Sequence, residues 1–305
     1  ETTGLSDRYE YHTQDAGRAG NVSVNDFTGG MYIARDELGI GGNIMPVSIC
    51  QYLSTATADL YMNGSALYFY LFFEDYGRVW LTNYNRFVGF LNNYYMDENG
   101  DPIDLYFYMD GTGAITYFEQ TTTVTDGFEK WTQPYERTGA GAGLTMWVPE
   151  GISGDDADLE GIIVEETSGE TMTFEECGRM VTITAAPDEN ITGTLPAVQV
   201  AYKDSNYPYY AIDKITDGAG REYRFTYTTL GNLTTMQAYD AQSNAITVGS
   251  SPVNLQMTYT YDTYGRLTAA TYPDSESVTY SYVSEPGESP LLGDVTDIDG
   301  YRYSY

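Results

Sequence analysis

One histidine in 305 residues, His12, closes most routes to catalysis before any fold is considered. Metal sites built on several imidazoles, and the Ser-His-Asp and Cys-His arrangements, all need a histidine held against a partner. His12 stands in a polar N-terminal stretch, so neither chemistry is expected. Carboxylates are abundant, and adjacent ones occur at Glu74-Asp75, Asp155-Asp156, Glu165-Glu166 and Glu175-Glu176. A glycosidase needs two carboxyl groups about 5 to 10 Å apart across a cleft. Sequence neighbours on a strand point to opposite faces, so these pairs read as solvated faces or turns. No catalytic residue is assigned, and the chain is expected not to be an enzyme.

Asp97, Asn99, Asp101 and Asp104 set oxygen donors around Gly100, as a calcium loop does. An EF-hand is excluded, because glycine stands at the fourth place rather than the sixth and Tyr108, not a bidentate Glu, at the twelfth. A looser calcium site is one reading and an Asn-Gly hairpin turn the other. Asp155, Asp156 and Asp158 offer the same choice. Calcium apart, no cofactor is expected. Cys50 and Cys177 form no spaced signature; a disulfide between them is one reading, and buried free thiols are the expected one. Trp80, Trp131 and Trp147 admit both a structural and a sugar-stacking reading, and Trp131, which lies in the loop-like "FEKWTQPYE" and could be exposed, is the candidate glycan contact.

These residues need a framework, and composition says what kind. The net charge is 14 − 44 = −30, yet aromatics make up 15% of the chain. Acidic disordered sequences lack that aromatic area, so the chain is expected to fold. Its size is near the limit of a single core, about 250–300 residues, so two layers or subdomains are expected. Strong negative charge repels phosphate backbones and anionic lipid, which argues against nucleic-acid and membrane-surface partners. The longest apolar run, "ALYFYLFF" from Ala66 to Phe73, falls short of the 18 or so residues of a membrane helix and fits a buried strand.

Strands are expected almost everywhere. In "TYTYDTYGRLTAATYPDSESVTYSY", Thr258 to Tyr282, Tyr259 and Tyr261 share one face of a strand while Thr258 and Thr260 share the other. Val278, Tyr280 and Tyr282 repeat the alternation. Asp262, Gly265 and Pro273-Asp274 supply turn chemistry between them. The pattern recurs: Tyr227 to Leu233 overlays Tyr261 to Leu267 with Gly231 and Gly265 in register, both expected at positive φ, and Val295 to Tyr303 echoes Ile215 to Tyr223. The insertion "DAQSNAITVGSSPVN" separates two copies. Further strands are expected at 31–33, 46–53, 66–73 and 79–84, aromatic hairpins around 97–104 and 110–113, and loops at 139–143 and 151–158.

Tyr259, Tyr261, Asp262, Gly265, Arg266, Leu267, Pro273, Asp274, Tyr280 and Tyr282 together resemble the YD-repeat, or Rhs (rearrangement hotspot), family. Its pattern is an aromatic strand, Tyr-Asp, two residues, Gly-Arg-Leu, then a Pro-Asp-Gly turn and another aromatic strand. The match departs at Ser275, where the family carries Gly, and the copy at Tyr223 to Leu233 has Thr228 for the Asp and Asn232 for the Arg. Upstream, "NDFTGGMYIARDELGIGGNIMPVSICQYL", "YGRVWL" and "YMDGTGAITYF" resemble the segment that precedes such repeats in secreted bacterial members. The resemblance implies an all-β fold of consecutive antiparallel β-hairpins in a continuous ribbon, forming a β-sandwich or a partial Rhs-type shell. It divides the chain into an irregular lead-in (1–24), a pre-repeat β domain (25–200) and a YD-repeat region (201–305).

The function this implies is a non-catalytic structural segment of a bacterial protein, secreted or displayed on the cell surface or wall. In some relatives such repeats enclose a C-terminal toxin, and in others they present adhesive surfaces. The expected partners are other parts of the same polypeptide, including a C-terminal cargo domain, and glycans, with no nucleic acid and no membrane insertion. Two alternatives stand beside it. A carbohydrate-binding module would show an exposed, coplanar aromatic strip, and a glycan-acting enzyme would show a cleft with facing carboxylates. The chain opens in polar sequence without a signal peptide and stops inside a repeat strand at Tyr305, so it reads as a piece of a longer polypeptide.

Overall fold

The structure is a computed structural model, described for residues 10–26, 30–54, 80–97, 99–133, 143–152, 159–189, 193–207, 210–282 and 292–304. Period-two alternation becomes strand after antiparallel strand, and the one helical element among the described residues is a 3-10 turn at Gly17–Ala19. The all-β expectation holds.

The first run is a five-stranded sheet in chain order: β1 (Tyr11–Asp15), β2 (Asn21–Asn25), β3 (Met31–Gly39), β4 (Ser48–Ser54) and β5 (Leu81–Thr82). The second meanders through β6 (Phe87–Met96), β7 (Pro102–Met109), β8 (Ile115–Thr125), β9 (Phe128–Thr132), β10 (Thr145–Pro149), β11 (Ile163–Glu165), β12 (Thr171–Phe174), β13 (Met180–Thr184) and β14 (Ala197–Tyr202). The third comprises β15 (Ile212–Thr216), β16 (Glu222–Tyr227), β17 (Leu233–Tyr239), β20 (Gln256–Tyr261), β21 (Leu267–Thr271), β22 (Ser277–Tyr282), β23 (Leu292–Thr296) and β24 (Arg302–Ser304). Between β17 and β20 the insertion forms its own small hairpin of β18 (Thr247–Val248) and β19 (Val253–Asn254).

Packing groups these strands into two compact units, Tyr84–Gln199 and, separately, Tyr9–Asn83 with Val200–Tyr305. The expected partition is corrected in two places. Residues 10–24 are not an irregular lead-in, because β1 pairs with β2 residue for residue and Ala16, Ala19 and Val22 are buried. Residues 30–54 and 80–83 belong with the repeats rather than with 84–199, since side chains of β3 reach the repeat strands 222 and 245 residues onward. The strand expected at 66–73 lies outside the described residues, as do Asp155, Asp156 and Asp158.

Each unit has its own core. Phe87, Leu105, Phe107, Phe118, Met146, Val164 and Met172 fill that of Tyr84–Gln199, and Ile33, Ile49, Ile215, Tyr223, Met236, Met257 and Val278 that of the other. Fully burying a side chain of this kind stabilises by about 1.5–3 kcal/mol. In β20 the alternation places Met257 and Tyr259 inside and Thr260 outside, as the period of two requires.

Candidate functional site

The Tyr-Asp and Gly-Arg residues of the repeat make one turn. Asp262 N–H donates to the Arg266 carbonyl (3.0 Å) and Gly265 N–H to the Asp262 carbonyl (3.1 Å). One Asp262 oxygen accepts the N–H groups of Tyr264 and Arg266, both at 2.9 Å, and the other takes Arg266 Nε at 2.7 Å. Burial works against the charge, but the Arg266 and Tyr264 donors outweigh it and hold the carboxyl below its ordinary range. Gly265 sits at φ +76°, as expected, and Gly231 at +83°. The extra residue leaves a bulge where Tyr261 faces Leu267. Arg266 then lies over the ring of Tyr282 at 4.9 Å, and the Tyr282 hydroxyl donates to the Leu267 carbonyl at 2.9 Å. The motif is therefore used up in holding its own hairpin.

The same cap recurs in other turns. Asp97, Asp110, Asp217, Asp240 and Asp297 each take two backbone N–H groups, from residues two and four further on, on one side-chain oxygen. Thr228 does so with its hydroxyl. At Asp97, Asn99, Asp101 and Asp104 the hairpin turn is what the structure shows: Asp97 caps the turn and Asp104 accepts the N–H of Asn93 at 2.7 Å. No cluster of metal-ligand type occurs among the described residues. The signal in the sequence is Asp-x-x-Gly, shared by 97–100, 110–113, 217–220, 262–265 and 297–300.

Pro273 and Asp274 stand in the next turn, where Tyr272 N–H donates to the Glu276 carbonyl and Ser275 takes φ +70°. Asp274 pairs with Arg18 at 2.5 Å, which pulls its carboxyl down. Tyr272 hydroxyl donates to the Arg18 carbonyl at 2.6 Å. Beside this turn a cavity of about 700 Å³ is lined by Arg18, Asp36, Glu37, Cys50, Tyr272 and Asp274 among others. Of its carboxylates, Glu37 is held by Arg35 and Asp274 by Arg18.

Arg35 and Glu37 form the feature that the sequence did not signal. Both side chains are fully buried, bonded to each other through Arg35 Nε at 2.7 Å. Arg35 also donates to Tyr280 hydroxyl (2.5 Å) and Gln51 Oε1 (2.9 Å), while Tyr259 hydroxyl donates to Glu37 Oε2 (2.8 Å). The guanidinium lies 4.8 Å from the Trp80 ring and 5.5 Å from that of Tyr280. Burial pushes Glu37 above its ordinary range, against the pull of Arg35 and Tyr259.

Two further expectations are corrected. Trp131 is not exposed: β9 lies between β8 and β10, the residue is 6% exposed, and its ring meets Tyr106 edge-on at 4.7 Å. Cys177 is exposed and Cys50 partly buried, and both are free thiols. Burial pushes the Cys50 thiol up to about 11, which disfavours the nucleophilic thiolate. Exposed aromatics among the described residues include Tyr94 and Tyr95 on β6, Tyr264 and Tyr301, with Tyr94 stacked on Tyr117 at 5.6 Å.

No protein-family model matches the chain, and no curated protein does. Solved structures do. The crystal structure of TcdB2-TccC3-Cdc42 matches at 13% identity and TM-score 0.32, and that of TcdB2-TccC3 at 14% and 0.33, each over 90% of this chain and 14% of the other. A Photorhabdus luminescens Tc holotoxin pore carrying a TccC3 mutation matches at 16% and 0.34, over 90% and 13%. The chain thus spans about a seventh of the chains it matches. At these values its own geometry is the basis for reading its function.

Proposed function

We propose that the chain is a non-catalytic scaffold segment of YD-repeat type, whose hairpin ribbon forms wall material in a secreted or cell-surface bacterial protein. One observation carries this reading: the groups of the repeat that look chemical are engaged in holding strands. Asp262 and Arg266 are bonded across their own turn, Tyr282 to a bulge carbonyl, and Tyr259 and Tyr280 to β3. No helix among the described residues is long and apolar enough to cross a membrane. The partners of such a wall are other parts of the same polypeptide, a cargo domain included, and it needs no cofactor.

Glycan binding is a second reading; Trp131 is buried, and the exposed rings of Tyr94 and Tyr95 stand edge to face at 81° rather than coplanar. A screen of soluble and cell-wall polysaccharides, read for turnover and for retardation in affinity gels, separates the readings. The scaffold expects neither. Turnover abolished by one Asp or Glu substitution would overturn it in favour of an enzyme, and saturable retardation lost in Tyr94→Ala would move the function to that surface.

A further inference from the structure

Three inner tyrosines of the repeat sheet are bonded by β3 and the connection that follows it, with Ala19 of the 3-10 turn beside them. Tyr223 hydroxyl accepts the N–H of Ile40 (3.1 Å) and donates to the Val47 carbonyl (3.3 Å). Tyr259 donates to Glu37, and Tyr280 accepts from Arg35 and donates to the Ala19 carbonyl. Both sheets lie in the same compact unit.

Strands β16, β20 and β22 are equivalent, each ending in a tyrosine at a bulge: Tyr227 opposite Leu233, Tyr261 opposite Leu267 and Tyr282 opposite Leu292. Counting back from those tyrosines, the two inward positions hold Tyr223 and Phe225 in β16, Met257 and Tyr259 in β20, and Val278 and Tyr280 in β22. All are buried. A docking slipped one unit toward β16 would present Phe225 to Glu37 in place of Tyr259. A slip the other way would present Met257 to Ile40 and Val47 in place of Tyr223. Either slip leaves a buried polar group without its hydroxyl, at a cost of about 1–3 kcal/mol, more for a charged group.

We propose that the hydroxyls of Tyr223, Tyr259 and Tyr280 are a register code on the repeat sheet, that its reader is residues 35–47 of this chain, and that Arg35 and Glu37 serve selection rather than stability. A buried ion pair is weak evidence for stability, since desolvation offsets its attraction, whereas fixing a unique arrangement is a better-attested role. The raised Glu37 carboxyl agrees with desolvation that is only partly repaid. This rests on the scaffold reading, but its readouts involve neither turnover nor glycan, so the two fail separately.

The test replaces the network by apolar side chains of similar size in the full chain: Arg35→Met, Glu37→Leu, Gln51→Leu, Tyr259→Phe and Tyr280→Phe together. The expected result is a melting temperature equal to or above wild type, with doubled amide resonances over 31–39 and 257–282 and about tenfold lower exchange protection at Ile40. A fall of more than about 5 °C would make the network a stabilising element and overturn the proposal. One sharp set of resonances with wild-type protection would overturn it too. Tyr259→Phe alone, which removes a hydroxyl and little volume, is expected to lower protection over 31–39 while the Asp217 and Asp262 turns keep theirs; unchanged protection over 31–39 would count against the code.

Discussion

At Ser275 a side chain occupies φ +70°, the left-handed region that glycine enters most readily, while Gly265 stands at +76° in the turn before it. A Cβ at Gly265 would meet only the Asn232 amide, at 3.5 Å, so any penalty there comes from the backbone rather than from crowding. Holding a non-glycine residue in this region costs about 1–3 kcal/mol. Gly265→Val is therefore expected to destabilise the chain by more than about 1 kcal/mol, β-branching adding to the strain. Ser275→Gly should act in the opposite direction, relieving strain at some entropic cost in the unfolded chain and netting a gain of a few tenths to about 1 kcal/mol. Chemical denaturation of both variants reads the two signs. If Gly265→Val matched wild type and Ser275→Gly were destabilising, positive φ would not be what glycine supplies to these turns.

Hairpins were legible in the sequence because everything that makes one lies within a few residues: alternation sets the strands, and an Asp cap with a glycine three places on sets the turn. What lies between hairpins was not legible. Trp131 looked like a loop residue because Lys130, Gln133 and Pro134 surround it, yet its burial comes from the pairing of β9 with both β8 and β10. Arg35 and Glu37 were invisible for the same reason, since nothing near them in sequence says that tyrosines more than 200 residues away will supply their hydrogen bonds. Gly89 is a further case at this scale. It faces Phe107 across the β6–β7 ladder, and a Cβ there would come within 2.4 Å of the Phe107 ring, so the glycine is a seat for that ring. Phe107 is fully buried, so the ring has little room to move aside. Gly89→Ala is expected to cost about 1–3 kcal/mol through overpacking. The double variant Gly89→Ala/Phe107→Leu should recover part of that loss relative to Phe107→Leu alone, and strictly additive effects in the thermodynamic cycle would show that the two positions do not compete for space.

Across the whole chain, 31 tyrosines make protonation of the phenol a property of the fold rather than of one site. Burial pushes Tyr106 and Tyr108 up to about 12, and it raises Tyr227, Tyr259, Tyr261, Tyr272, Tyr280 and Tyr282 as well. An unfolded tyrosine releases its proton near pH 10. Between that value and the higher folded ones the unfolded chain binds fewer protons than the native one, so stability falls as pH rises. Each tyrosine contributes its stabilisation fully below pH 10 and loses it on the way up, and these tyrosines act in the same direction. The charge of −30 adds self-repulsion that grows as phenolates form. The chain is therefore expected to unfold cooperatively above pH 10, with ionisation of the buried tyrosines, followed by ultraviolet absorbance, coinciding with loss of near-ultraviolet circular dichroism. Added salt should move the midpoint upward by screening the repulsion. Smooth, non-cooperative ionisation centred near pH 10 with the dichroism intact would mean that the inner tyrosines are in contact with water, and the packing of β20 and β22 against β3 would then be wrong.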